Sequence, residues 1–286
     1  MAATVSICTS ALGAEISATG AELVRLRDRT GADLLWDGDP AFWTGRSPLL
    51  FPMVGRARGD RITVAGRSYD MGQHGFARTS TFALVRSDAA SCTWRLDASE
   101  ATRQRYPFAF RLDVTYRIDD ATLHMEAEVT NTDAVVMPAS FGFHPALRWP
   151  LPYGKPRSEH EIVFERAEPA PIRRPVDGLL SAAQFPTPVR DGHLLLNDGL
   201  FEDGALIFDT LASRSVVYGE AIRVDFPRMP HLGIWTKPGA GYVCIEPWQG
   251  YASPEGFDGD FADKPGMVPV APGATETFAM SISVER

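Results

Sequence analysis

The chain has 286 residues, of which 44 % are hydrophobic, and it carries a formal net charge of −8 with a pI near 5.3. This length and composition suffice for one large hydrophobic core, so we predict a single domain over residues 1–286. The acidic balance disfavours a nucleic-acid-binding protein, which would normally present a basic face.

The cysteines and the N-terminal segment give further indications of the class of protein. Cys8, Cys92 and Cys244 lie far apart without a CxxC pair, which indicates neither a disulfide framework nor a zinc knuckle. The opening MAATVSICTSALGAEIS lacks the basic and apolar regions of a signal peptide, and no stretch approaches 18 apolar residues. We therefore predict a soluble cytoplasmic protein with neither a membrane nor a nucleic-acid partner.

In chain order, strand patterns dominate. Alternating or hairpin segments begin with ATVSICTS, AEISATGAELVRLRD and DRITVAGRSYDM, continue with TFALVRSD and CTWRLDA, and include the long FRLDVTYRIDDATLHMEAEVTNTD. The later segments are ALIFDTL, SVVYGE, AIRVDF, GYVCIEP and ETFAMSISVER, whereas DPAFWTG and SEATRQR each indicate only one helical turn. This pattern predicts an all-β fold, a large antiparallel β-sandwich.

Three apolar segments contain reactive side chains. Arg56 and His74 lie in LLFPMVGRARGDRITVAGRSYDMGQHGFARTSTF, His144 lies in MPASFGFHPAL, and Glu246 lies in YVCIEPWQGY. Each of these four residues has an ordinary alternative explanation. In the order given, they would be a surface arginine, a loop histidine, a core histidine bonded to a backbone carbonyl, and a strand-end carboxylate. Because Pro247 cannot donate a ladder hydrogen bond, we expect the strand before it to end there or to lie at a sheet edge.

Other chemical signatures are absent from the sequence. There is no GxSxG, Walker loop, HExxH or GxGxxG motif. His74, His144 and Glu246 together would suit zinc, but no local ligand spacing supports such a site, so we predict neither a metal nor a cofactor.

Four segments in order, FPMVGR, QHGFAR, GFHPAL and CIEPWQG, resemble the aldose 1-epimerase (galactose mutarotase) family, and most closely its LacX-like branch. The resemblance runs from about residue 15 to the C-terminus. It implies a β-sandwich of the supersandwich type, which agrees with the strand pattern, and an isomerase that interconverts the α and β anomers of a free aldose.

The resemblance also implies roles for individual residues. Glu246 corresponds to the family's general base and His144 to its general acid, while Arg56 and His74 correspond to residues that bind the sugar hydroxyls. This chemistry calls for an ionised glutamate and a partly protonated histidine near neutral pH. Trp248 and Phe143 would offer apolar planes to the sugar, or belong to the core.

The family's sugar-binding aspartate is less clearly matched. LNDGLFEDGALIFD offers Asp198, Asp203 and Asp209, of which Asp203 fits best. Two alternatives remain open at this point. The first is a hexose-6-phosphate 1-epimerase, with Arg56 and Arg78 supplying positive charge to the phosphate, and the second is a non-catalytic carbohydrate-binding module on the same fold.

Overall fold

A computed structural model describes residues 3–285. These residues form 24 β-strands and one short α-helix, α1 (Glu100–Arg103). The strands are β1 (Thr4–Cys8), β2 (Leu12–Ser17), β3 (Leu23–Asp28), β4 (Leu49–Leu50), β5 (Arg61–Val64), β6 (Arg67–Asp70), β7 (Ala83–Ser87), β8 (Ser91–Asp97), β9 (Phe110–Asp119), β10 (Thr122–Asn131), β11 (Met137–Ala139), β12 (Phe141–Phe143), β13 (Ala146–Arg148), β14 (Glu161–Phe164), β15 (Pro175–Val176), β16 (Leu179–Leu180), β17 (His193–Leu195), β18 (Leu206–Phe208), β19 (Ser215–Tyr218), β20 (Ile222–Asp225), β21 (His231–Trp235), β22 (Tyr242–Gln249), β23 (Val268–Val270) and β24 (Thr275–Val284).

The larger sheet has nine antiparallel strands in the order β17-β14-β19-β20-β24-β10-β9-β8-β7. Its centre is the long hairpin of β9 and β10, in which buried residues alternate with more exposed ones. This period of two follows from the strand pleat, which sends successive side chains to opposite faces. One face of the sheet is therefore apolar and must be covered by another layer.

The covering layer includes a sheet of six strands, in which β18, β21, β22, β12 and β4 follow one another and β13 also pairs with β22. Val243 and Ile245 of β22 belong to the same buried cluster as Leu112 and Val114 of β9. The core thus lies between two antiparallel sheets, and the predicted all-β sandwich of the supersandwich type is confirmed.

The strand β22 departs from the sequence prediction. It continues through Pro247 to Gln249 and lies inside its sheet, between β21 and β12. The backbone N–H of Ile245 points to Pro145, and alternate residues of a strand direct their N–H groups to the same neighbour. The missing donor of Pro247 therefore faces the irregular junction between β12 and β13, where the loss of one ladder bond is tolerated.

The two predicted helical turns have different outcomes. The SEATRQR segment forms α1, which begins with a capping box between Ser99 and Thr102. The DPAFWTG segment makes a single turn closed by a hydrogen bond from the N–H of Trp43 to the carbonyl of Asp39, without becoming a helix. Within residues 3–285, no helix has both the length and the apolar character needed to cross a membrane.

Candidate functional site

The strand β22 presents two different faces. Val243 and Ile245 point into the main core, so Cys244, Glu246 and Trp248 point the other way. On that opposite face, Glu246 and Trp248 line a cleft of about 470 Å³. The carboxylate that follows an apolar run is therefore a buried group at the floor of a cleft, and the alternative of a strand-end surface carboxylate is wrong.

His144 meets Glu246 because of a break in the neighbouring strand. Gly142 of β12 pairs with Trp248, and Ala146 of β13 pairs with Cys244. Continuing that register across the gap sets His144 opposite Glu246. Pro145 interrupts the ladder at this point, and the His144 Nε2 atom lies 3.1 Å from Glu246 Oε2.

Both members of the pair are almost completely enclosed. His144 is 6 % exposed and Glu246 is 2 % exposed. The His144 Nδ1 atom is buried without a hydrogen-bond partner among the described residues, so the alternative of a core histidine bonded to a backbone carbonyl does not hold. His160 gives the contrast, because both of its ring nitrogens have backbone partners, Pro156 and Leu151.

The cleft combines aromatic surface with a few polar groups. It is lined by Trp43, Pro48, Val54, Gly55, Gln73, His74, Arg78, His144, Pro175, Gly178, Gly204, Ala205, Ile207, Trp235, Glu246, Trp248 and Ala252. The three tryptophans offer apolar planes, and the contacting side chains of His144 and Glu246 lie among them. This is the composition expected of a site for a small polar molecule with an apolar face.

The indole of Trp248 lies flat across the two neighbouring strands because both provide a glycine there. A Cβ atom on Gly233 of β21 would stand 2.3 Å from Trp248 Cζ2, and one on Gly142 of β12 would stand 2.7 Å from Trp248 Cδ1. Its Nε1 is buried without a hydrogen-bond partner among the described residues. Phe143, the other aromatic residue considered from the sequence, is fully buried in the core instead.

His74 is fixed in one tautomer. Its backbone has a φ of +64°, and its Nδ1 accepts a hydrogen bond of 3.1 Å from the N–H of Gly55. Because a backbone N–H can only donate, the proton of the neutral ring must be on Nε2. The side-chain amide of Gln73 lies 3.3 Å from that nitrogen, so it must present its oxygen there, and a sugar oxygen would have to replace it. Burial lowers the pKa of His74 well below its ordinary value, so the ring is a neutral hydrogen-bond donor at the cleft wall.

Aromatic rings surround His144 on several sides. The Trp43 ring lies 4.9 Å from the His144 ring at an interplanar angle of 34°, and Trp235 and His74 present T-shaped contacts at 6.0 and 5.8 Å. Neither Trp43 nor Trp235 was expected at the site from the sequence. Trp43 belongs to a loop far from His144 in the chain, and only its position after an isolated turn, next to the FPMVGR segment, could have drawn attention to it.

Burial controls the charge of the pair. It raises the pKa of the Glu246 carboxyl well above its ordinary value, because a carboxylate loses its hydration there. It lowers the pKa of His144 to about 3, and the positive charge of Arg78 acts in the same direction. Burial therefore favours a neutral acid beside a neutral imidazole, the reverse of the charges expected from the sequence, because desolvation outweighs the mutual attraction.

The structure separates the other predicted binding residues from the pair. Arg56 does not line the cleft; its guanidinium is 41 % exposed and pairs with Asp60, with Nε 2.6 Å from Oδ1. Asp203 is exposed, next to the lining residue Gly204. Of the other two candidate aspartates, Asp198 pairs with an arginine at 2.7 Å and Asp209 with another at 3.3 Å.

The zinc set considered from the sequence is not the one that the fold assembles. The ligand atoms that come together within the described residues are those of His144, Cys244 and Glu246, while His74 is occupied by the N–H of Gly55. What the pair can do without a metal is move a proton. One nitrogen and one carboxyl oxygen, both facing a cleft, can take a proton from one atom of a bound molecule and return one to another.

Comparison with known proteins identifies the family. The model of the family described as Aldose 1-epimerase matches residues 3–285. The chain belongs to the aldose 1-epimerase family. The residues that carried the sequence resemblance are thus parts of a full-length match.

Relatives of this aldose 1-epimerase family member agree with the assignment. The chromosomal and plasmid forms of protein LacX from Lactococcus lactis subsp. lactis are each 30 % identical over 297 aligned residues, which cover 98 % of this chain and 99 % of theirs. Among solved structures, a galactose mutarotase related enzyme from Lactobacillus acidophilus is 30 % identical, with a TM-score of 0.89 over 99 % of this chain and 98 % of that one. A galactose mutarotase-like protein from Lactobacillus casei is 26 % identical, with a TM-score of 0.91 over 99 % and 100 % of the chains.

Proposed function

We propose that this protein is an aldose 1-epimerase that interconverts the α and β anomers of a free sugar by acid–base ring opening and reclosure. The observation that carries the proposal is the contact of 3.1 Å between His144 Nε2 and Glu246 Oε2 at the floor of an aromatic cleft. A protein that only bound a sugar would gain nothing from a buried carboxyl and imidazole in contact. Burying them costs free energy, because each is held away from water.

The reaction begins with the pair in its charged tautomer. Transfer of one proton along the 3.1 Å contact converts the neutral pair into the Glu246 carboxylate and the His144 imidazolium. The carboxylate removes the proton of the sugar's O1 hydroxyl, and those electrons form the C1=O bond. The C1–O5 bond breaks, its electron pair goes to O5, and the imidazolium protonates O5.

The second half of the reaction reverses these steps on the other face. The C1–C2 bond of the open aldehyde rotates, O5 attacks C1 from the opposite side, and the two protons return to the groups that lost them. No proton or electron is gained or lost overall, so the reaction proceeds with the residues of this chain and needs no cofactor. Each proton transfer by a positioned group is typically worth ~10²–10⁴-fold in rate.

Other cleft residues bind and orient the sugar in this proposal. The Nε2–H of neutral His74 donates to a sugar oxygen near His144, and the indole of Trp248 packs against the C–H face of the ring. Arg56 and Asp203 would take part only if substrate binding drew them toward the cleft, and Arg56 would then have to exchange its Asp60 partner for sugar hydroxyls.

One observation supports a second candidate, a sugar phosphate as substrate. Arg78 lines the cleft, makes no ion pair within the described part of the chain, and donates only to the carbonyl of Gln73, at 3.2 Å. An unpaired guanidinium is a ready partner for a phosphate. Hexose-6-phosphate 1-epimerase activity is therefore the alternative, and Arg78→Gln should then lower activity on phosphorylated sugars far more than on free ones.

The test is an anomer-exchange assay by polarimetry and exchange NMR on freshly dissolved free and 6-phosphorylated α-sugars. We expect acceleration by the wild-type protein and a loss of ~10²-fold or more in kcat for Glu246→Gln, with KM changed much less. Glu126→Gln, at an exposed position of β10, is the matched control and should leave the rate unchanged.

The outcome separates the hypotheses. Sugar binding without exchange would favour a carbohydrate-binding module, and exchange of phosphorylated sugars alone would favour the second candidate. Exchange by Glu246→Gln at nearly the wild-type rate on every sugar would contradict the role proposed for this carboxyl.

A further inference from the structure

We propose that His144, Cys244 and Glu246 form a binding site for a divalent thiophilic cation such as Zn²⁺, and that the bound cation inactivates the acid–base pair. The binding part of this inference stands on the ligand geometry alone. The inactivation part rests on the function proposed above, and the two parts are tested separately.

The geometry is that of a site with three protein ligands. One nitrogen of His144, the sulfur of Cys244 and one carboxyl oxygen of Glu246 all lie within 4.8 Å of one another. Tetrahedral zinc, with bonds of about 2.0–2.3 Å, holds its ligand atoms roughly 3.3–3.8 Å apart. The nitrogen and oxygen are already 3.1 Å apart, so modest side-chain shifts bring all three atoms into range.

The strand β22 and the break opposite it create this arrangement. Cys244 and Glu246 are two residues apart, so both side chains leave the same face of the strand. His144 reaches them from the gap between β12 and β13. The cleft gives access to His144 and Glu246, which line it, whereas Cys244 is fully buried beside them and is not among the lining residues.

The charges of the ligands select the cation. All three residues are buried, and a buried ion must be neutralised by its partners. A thiolate and a carboxylate balance the two positive charges of Zn²⁺ or Cd²⁺, and the neutral imidazole completes the set. Mg²⁺ and Ca²⁺ prefer six or more oxygen ligands, so this set of nitrogen, sulfur and oxygen excludes them.

A second polar group without a hydrogen-bond partner in the described part of the chain lies on the same face of this strand. Tyr242 precedes Cys244 by two residues on the same face of β22, and its hydroxyl is buried without a hydrogen-bond partner among the described residues. Hydrogen bonds from surrounding groups to ligand atoms commonly support metal sites.

Binding releases protons in a defined way. The Cys244 thiol gives up its proton to solvent and forms the metal–sulfur bond. The single proton shared by His144 and Glu246 also leaves, because the metal takes the nitrogen and oxygen lone pairs that held it. The occupied pair can neither accept nor donate a proton, so the cation should act as an inhibitor that excludes the sugar.

The decisive experiment measures binding without reference to activity. Exposed Cys8 is first replaced by serine, and the chelator-treated protein is titrated with Cd²⁺ while its thiolate-to-metal absorption in the ultraviolet is recorded. We expect one equivalent to bind in Cys8→Ser, and the band to disappear in the double variant Cys8→Ser/Cys244→Ser with at least a ~10²-fold weaker affinity. The double variant Cys8→Ser/Cys92→Ser is the matched control and should keep the band, because Cys92 is a buried thiol on β8.

Additional measurements keep the proposal testable if a variant does not fold. Circular dichroism checks that each serine variant is folded, and Glu246→Gln offers a second test, since it should keep the sulfur band but bind the metal more weakly. A band that persists in Cys8→Ser/Cys244→Ser, or no band in Cys8→Ser, would overturn the site.

The inactivation part has its own readout. Zn²⁺ should abolish anomer exchange by the wild-type protein, whereas the same Zn²⁺ concentration should slow Cys244→Ser far less, with each protein compared with its own metal-free rate. Exchange that continues at a Zn²⁺ concentration high enough to prevent Cd²⁺ from producing its absorption band would refute the inactivation and leave the binding site intact. If no sugar is exchanged by the metal-free protein, the proposed function fails while the cadmium titration still decides the site.

Discussion

At the scale of single residues, the central feature is that burial disfavours the charged forms of both Glu246 and His144. Water is excluded from both side chains, and the pKa of each is shifted toward its neutral form. Their contact of 3.1 Å allows the ion pair to form by one proton transfer without water. A pair of this kind needs to hold one proton in total, and this requirement governs its dependence on pH.

The pH dependence of exchange follows from those shifts. A second proton reaches the pair when His144 is protonated, and burial lowers its pKa to about 3, far below the ordinary value of 6.5. We therefore expect kcat/KM to stay level as the pH falls from 7 to 5, and to decline only on the alkaline side, where Glu246 loses its proton. A fall in kcat/KM with a midpoint close to pH 6.5 would show instead that His144 titrates as an exposed imidazole.

Trp43 is expected to favour the charged state of His144. Its ring faces the imidazole at 4.9 Å, and an aromatic face attracts a cation by ~0.5–2 kcal/mol. Trp43→Leu should therefore lower kcat by roughly 2–30-fold, while Trp43→Phe should recover most of the loss because it keeps an aromatic face. Equal rates for the two variants, measured by polarimetry, would remove the aromatic ring from the explanation.

At the scale of elements, the site depends on four neighbouring strands that depart locally from regular pairing. The strand β22 carries Pro247 through the sheet, β12 and β13 are separated by His144 and Pro145, and β21 has Gly233 opposite Glu246. The glycine leaves room for the Trp248 indole, which forms one wall of the cleft. These strands therefore remain hydrogen-bonded to one another while their local irregularities leave room for the side chains of the site.

Replacing that glycine should disturb both packing and function. In Gly233→Ala, the new Cβ would stand 2.3 Å from Trp248, so the indole must move. We expect a loss of about 1–3 kcal/mol in the free energy of unfolding and weaker sugar binding. Gly13→Ala is the matched control, because its Cβ would meet no atom closer than 3.8 Å, and it should unfold at the wild-type denaturant midpoint or above it. If Gly233→Ala had the same free energy of unfolding as the wild type, the strands or the indole would be able to shift there without a measurable loss of stability.

At the scale of the whole molecule, another buried titratable group affects stability. Lys264 is 2 % exposed, and its Nζ donates to the carbonyls of Tyr251 at 2.6 Å and Pro265 at 3.3 Å. Burial lowers its pKa from 10.5 to about 7. The lysine ties the segment around Phe261–Asp263 to the end of β22 without a carboxylate partner among its hydrogen bonds.

The sign of the resulting pH effect is fixed. Because the pKa is lowered on folding, protonation of Lys264 favours the unfolded chain, and the stability contributed by the neutral amine is present above pH 10.5 and lost as the pH falls toward 7. We expect the free energy of unfolding of the wild type to rise relative to Lys264→Met between pH 7 and pH 9.5, by up to about 1.4 kcal/mol per pH unit. Parallel urea curves for the two proteins across this range would show that the amine does not titrate on unfolding.

Local patterns in the chain were enough to predict most strands and the residues to test. Alternation in the segments of β9, β10 and β24 is a local property of the chain, so the strands and the all-β sandwich could be predicted from it. The motifs around His144 and Glu246 were recognisable for the same reason, since each is a short stretch whose residue types are read without knowing its neighbours.

The contacts and charges of those residues depend instead on packing between distant segments. The contact between His144 and Glu246 follows from strand register across a gap of about 100 residues, the stacking of Trp43 from a loop that folds over the site, and the pairing of Arg56 with Asp60 from the turn between them. Burial is a property of the whole assembly, and it reversed the charges expected for the pair. Long-range packing sets desolvation, and desolvation sets the protonation of a buried group, so no local pattern could have supplied either.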